Sequence, residues 1–152
     1  MKFLVVYYSR TNVTKKIAEE IANELNCDIE EIKPKVNYNG KTGYVRGGKD
    51  AMSEKIIELE EFKYNPADYD IVYLGVPVWV GKSANPMISY IKENANSFDE
   101  VKFFVTAGAT GFDKTFKQLE EYVGKPPLKT LTLTTKEVKR DTYREKLDIF
   151  LE

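Results

Sequence analysis

Residues 2–8, Lys-Phe-Leu-Val-Val-Tyr-Tyr, form a β-branched and aromatic run with no polar side chain after Lys2. A strand that is apolar on both alternating sets has two faces to cover. That confines it to a parallel sheet lying between layers of helices. The run Ile71-Val72-Tyr73-Leu74 repeats the pattern within a strand expected over 70–75, and residues 101–106 repeat it again. Between these runs the spacing turns helical. Val13, Ile17, Ile21 and Leu25 recur every fourth residue, with Ala18 and Ala22 beside them, which predicts a helix over 13–25.

The remaining elements follow from punctuation. Residues 27–32 read as a short second strand ended by Pro34, and residues 36–43 as a polar loop. Residues 44–55 carry a helical pattern weakened by Gly47 and Gly48. Ile57 and Leu59 share one face of an extended piece, residues 66–70 form a turn, and residues 76–84 read as a loop. Asn85 and Pro86 mark a helix start, Asn as the cap and Pro at the first helical position. Residues 112–123 place Phe112, Phe116, Leu119 and Val123 on one face, with Gly124 as a terminating glycine. A last strand over 128–133 and a last helix over 137–151 complete the chain. Strands and helices alternate five times, with connections too long for hairpins. The expectation is one doubly wound α/β domain spanning residues 1–152.

Composition removes several functions. With 152 residues, 42 % hydrophobic and 12 % aromatic, the chain is too apolar for disorder and long enough for one core. Its 23 basic and 24 acidic residues give a net charge of -1, which argues against nucleic acid as a partner. There is no His and one Cys. Cys/His zinc sites, His general bases and an internal disulfide are therefore excluded, and no metal site is expected. Cys27 reads as a reduced thiol in a cytoplasmic protein. No apolar stretch reaches the roughly 20 residues of a membrane span, and the apolar start is too short for a signal peptide.

In a doubly wound sheet, ligands bind beyond the carboxyl ends of the strands, where strand order reverses. Three loops occupy that position. The first, Ser9, Arg10, Thr11, Asn12, Val13 and Thr14, sets three hydroxyls at i, i+2 and i+5 and runs into a helix. Helix N-terminal N–H groups suit an anion, and hydroxyls at this spacing can ring a terminal phosphate. Ser and Thr also cap helices, and this motif alone does not separate the two roles. Walker and dinucleotide glycine patterns are missing. The second loop, Pro77, Val78, Trp79, Val80, Gly81 and Lys82, holds the only Trp, placed either to cover a flat ligand or to close the core edge. The third, Ala107, Gly108, Ala109, Thr110, Gly111 and Phe112, leaves backbone amides bare, either for the polar edge of a heterocycle or as an ordinary turn.

Taken in order, Ser9-x-Thr11-x-x-Thr14, Pro77-x-Trp79 and Thr106-x-Gly108 resemble the phosphate loop and two flavin loops of the flavodoxin family. Asn12 stands where the family often has Gly, and tolerates the left-handed backbone. The resemblance spans the chain. It implies the short-chain form, FMN as cofactor, all eighteen loop residues as its binding set, and sheet order 2-1-3-4-5. It further implies an electron carrier between transient redox partner proteins, with no catalytic side chain of its own. The rival on the same scaffold is an FMN-dependent NAD(P)H oxidoreductase. Tyr44 is a further candidate cover for the flavin, Lys82 a cation near it, and the chain is read as a monomer.

Overall fold

The computed structural model describes all residues, Met1–Glu152. Its strands are β1 (Phe3–Tyr7), β2 (Asp28–Glu31), β3 (Ile71–Trp79), β4 (Lys82–Ser83), β5 (Glu100–Ala107) and β6 (Thr130–Thr134). Its helices are α1 (Val13–Leu25), α2 (Gly40–Met52), α3 (Asn85–Glu93), α4 (Phe112–Val123), α5 (Thr135–Lys139) and α6 (Arg144–Leu151). The parallel strands run in the order β2-β1-β3-β5-β6, and β4 folds back antiparallel on β3. Counting the five parallel strands alone, this is the expected 2-1-3-4-5.

Period-two alternation splits each central strand between two cores. Leu4, Val6, Val72, Leu74, Phe103 and Val105 face one layer, where α3 and α4 supply Met87, Ile88, Ile91 and Leu119. Val5, Tyr7, Tyr73 and Phe104 face the other, against Ile17, Ala18 and Ile21 of α1 and Leu147 and Phe150 of α6. Burying Leu or Ile side chains of this size contributes roughly 1.5–3 kcal/mol each. No helix is long and apolar enough to cross a membrane.

Four expectations change. β3 does not stop at Gly75 but runs to Trp79, because Gly75–Pro77 continue the ladder against Phe104–Thr106. Pro77 donates nothing; its carbonyl accepts from the Ala84 N–H at 2.9 Å. α2 begins at Gly40, inside the expected loop, and passes through Gly47 and Gly48. Asn85 is the first residue of α3 rather than its cap; its amide donates to the Tyr38 hydroxyl at 3.0 Å. The last helix is two, α5 and α6, separated where Asp141 takes φ 56°. α5 starts on a capping box between Thr134 and Glu137.

Candidate functional site

A cleft of about 230 Å³ opens at the carboxyl ends of β1, β3 and β5. Its floor is the start of α1. Asn12, the residue before that helix, sits at φ 69° and makes no capping bond. The first N–H groups of an α-helix have no partner within it. The Thr14 hydroxyl does not cap either: it pairs with the Thr106 hydroxyl of β5 at 2.8 Å, both side chains being buried. The Ser9 hydroxyl is buried with no hydrogen-bond partner. The capping role open in the sequence is therefore unfilled. What remains is a bare helix N-terminus beside hydroxyls, the arrangement an anion completes.

Arg10 turns back over this loop. Its guanidinium donates to the Tyr38 carbonyl at 2.8 Å and the Gly40 carbonyl at 2.9 Å, and lies 5.4 Å from the Tyr44 ring centre. It thereby ties the first loop to the start of α2.

Trp79 ends β3 as one wall, half-buried. The rings of Tyr8 and Tyr38 meet it edge-on, with centroids 5.4 and 5.2 Å away. Behind it stands Gly47, where a Cβ would come within 2.9 Å of the indole. The glycines of α2 thus allow close approach: at Gly43 a Cβ would fall 2.1 Å from the Tyr38 carbonyl carbon. Tyr38 is fixed by donating to the buried Asp50 carboxylate at 2.7 Å. Burial pushes the phenols of Tyr8 and Tyr38 up to about 12, so both stay neutral and can donate.

Ten of the eighteen expected residues line the cleft: Arg10, Thr11, Val13, Thr14, Pro77, Val78, Trp79, Val80, Ala107 and Gly108. Eight do not. Ser9, half-buried, and Asn12, exposed, flank the start of α1 without lining the cleft. Gly81 turns the β3–β4 hairpin with Val80, both at positive φ. The Lys82 ammonium lies on Glu54 at 3.4 Å and on the Met52 carbonyl at 3.3 Å, not on the cleft. Ala109, Thr110 and Gly111 lead away into α4. Gly111 is pinned beneath Val78, which a Cβ there would meet at 2.8 Å, and Phe112 packs on the core. The wall supplied by Gly43, Tyr44, Gly47 and Gly48 lies wholly outside the three loops; of these the sequence points to Tyr44 alone. Thr135, whose hydroxyl donates to the Ala107 carbonyl at 3.3 Å, also lines the cleft and carries no local sequence signal. No cluster of His, Cys, Asp and Glu suited to a metal is present.

A doubly wound sheet with its cleft at the strand-order reversal, floored by an uncapped helix, defines a flavodoxin-like protein. The family model described as flavodoxin matches residues 2–149, and the chain belongs to that family. No curated protein matches it in sequence. Among solved structures it is similar to a Lactobacillus acidophilus flavoprotein in complex with FMN. The two are 25 % identical, with a TM-score of 0.76, over 91 % of this chain and 97 % of that one. Two more distant likenesses show the fold alone. One is a Fusobacterium nucleatum flavodoxin bound to flavin mononucleotide: 14 % identity, TM-score 0.59, 99 % and 95 % covered. The other is an NADH:FMN oxidoreductase in its apo form: 12 % identity, TM-score 0.56, 99 % and 89 % covered.

Proposed function

We propose that this chain binds FMN in the cleft and carries electrons between transient partner proteins. The observation that carries the reading is the uncapped N-terminus of α1, opening on a cleft that Thr11 and Thr14 line, a fit for a terminal phosphate. Bound FMN supplies one- and two-electron chemistry; the protein supplies position and field. Thr11, Thr14 and the first N–H groups of α1 would hold the phosphate. Trp79, held by Tyr8 and Tyr38, would cover one ring face. Backbone amides at Ala107 and Gly108 would meet the polar ring edge.

The lining favours a carrier over a general acid–base enzyme. It contains no carboxylate, thiol, imidazole or ammonium, and its one charged group, Arg10, is directed to two carbonyls. The experiment is anaerobic mixing of the FMN-loaded protein with NADH or NADPH. A carrier keeps its flavin absorbance until a reductase is added. Rapid bleaching by the nucleotide alone would replace this reading with that of an NAD(P)H oxidoreductase.

A further inference from the structure

The outer face of α2 is apolar and unpartnered. Tyr44 and Val45 are each 70 % exposed, Met52 61 %, and Val80, at the facing hairpin tip, 60 %. They surround a shallow depression, and Tyr44, Gly48 and Val80 line both it and the cleft. Val80 also carries backbone strain, a β-branched side chain at φ 52°. Backbone strain of this kind persists where surroundings enforce it and gathers at functional sites. Here it places an isopropyl group in solvent at the rim of the cleft.

The charges around this patch have one sign. Lys41, Val45, Lys49 and Met52 follow one another at i, i+4, i+8 and i+11, on one side of the helix. Lys41 and Lys49 are exposed and enter no ion pair; Arg46 pairs with Asp50 at 3.8 Å, and Arg10 lies over the Tyr44 ring. The only acid of α2, Asp50, is 5 % exposed and bonded inward to Tyr38. The first acid after the helix, Glu54, is engaged by Lys82 and by the Gln118 amide at 2.9 Å. A chain of net charge -1 thus carries a local basic ring around an apolar centre, at the mouth of its cleft.

We propose that this face is the docking surface for an acidic electron-transfer protein, with Val45, Met52 and Val80 as the apolar contact and Lys41 and Lys49 as the steering charges. The proposal rests on the carrier reading only for the purpose of the contact. Apolar patches rimmed by charge mark interaction sites, and complementary charge acts mainly on the association rate.

The test uses isotope-labelled, FMN-loaded protein and two oxidised haem proteins, one cytochrome with an acidic haem edge and one with a basic edge. Amide signals of residues 41–52 and 80 are expected to shift on adding the acidic cytochrome and to stay put with the basic one. In stopped flow, the reduced protein should pass electrons to the acidic cytochrome faster at low salt. That advantage should fade as the screening length falls from about 30 Å at 0.01 M to about 8 Å at 0.15 M. Lys41→Glu with Lys49→Glu should lower the low-salt rate about tenfold or more and abolish the salt dependence, with FMN affinity unchanged. Val45→Ser with Met52→Ser should lower the rate while keeping the salt dependence. Binding at these residues without electron transfer would keep the docking surface and sink the carrier reading. Shifts elsewhere, a preference for the basic cytochrome, or a dimer that Val45→Ser with Met52→Ser dissociates would overturn the docking surface.

Discussion

The Thr14–Thr106 hydroxyl pair separates what holds the cleft together from what holds the ligand. Thr14→Val and Thr106→Val each remove one partner of the same buried 2.8 Å bond and strand the other. A buried hydroxyl left without a partner costs about 1–3 kcal/mol, so both apoproteins should lose comparable stability. Replacing both hydroxyls with methyl groups of the same shape is nearly neutral, so the double variant should regain much of that loss. FMN affinity should behave differently. Only Thr14 sits on the first turn of α1, and a bond to a charged phosphate is worth about 1.5–3 kcal/mol. Thr14→Val should weaken FMN about ten- to a hundredfold, riboflavin far less, and the double variant should stay weak for FMN while recovering stability. Urea unfolding of the apoproteins and titration by flavin fluorescence give both quantities. A double variant that recovers FMN affinity along with stability would show that Thr14 acts through packing alone, and the phosphate assignment would fall.

Four further outcomes follow from the site. Titrating the apoprotein with FMN should quench the single tryptophan's emission nearly completely at one equivalent; tight binding with unchanged emission would remove Trp79 from the ring face. Gly47→Ala should gain up to about 1 kcal/mol in helix propensity, yet weaken FMN, because its Cβ meets the indole at 2.9 Å and drives it toward the cleft; an affinity equal to wild type would refute that packing. Lys82→Gln should leave the redox potential of the bound flavin in place, since that ammonium is engaged by Glu54 and Met52; a shift on redox titration would show it reaching the ring. Burial raises Cys27 from 9.0 to about 11 and Tyr8, Tyr38 and Tyr73 from 10.0 to about 12. Below pH 9 both folded and unfolded chains hold these protons. Above it the unfolded chain releases them first, so stability should be flat from about pH 6 to 9 and fall between 9 and 12. Chemical denaturation across that range checks the sign, and rapid alkylation of Cys27 at pH 8 would contradict its raised value.

What was legible in the sequence was what local rules control. α1 and α4 occur at their expected bounds, Val13–Leu25 and Phe112–Val123, because apolar period and terminating residues agree there. Gly124 ends α4 at φ 86° as its position implied. Elements shaped by distant partners were less legible. Gly75 reads as a strand end but lies mid-strand, because a Cβ there would enter the Phe104 ring at 2.2 Å. Gly43 reads as loop and Gly47 as a weakening of the helix, yet they let α2 close on Tyr38 and Trp79. The same non-locality hid one wall of the cleft: Gly47 has its role only against an indole in β3, and Gly43 only against the Tyr38 backbone. Lys82 belongs to the second loop by sequence, but an antiparallel return in β4 turns it toward Glu54.

The glycine content of α2 has a kinetic consequence. Four of its thirteen residues are glycine, and an interior glycine weakens a helix by roughly 0.5–1 kcal/mol relative to alanine. Its hold on the rest includes two Arg10 bonds to carbonyls at its start and the Tyr38–Asp50 bond near its end. Such a segment opens at a free energy well below that of global unfolding. Its amides should therefore exchange with solvent hydrogen far sooner than those of β1 or β3. A ligand in the cleft would not have to wait for the sheet to melt. Its residence time would be set by how often this one helix peels back, and a ligand that holds α2 closed would slow the exchange of those amides first.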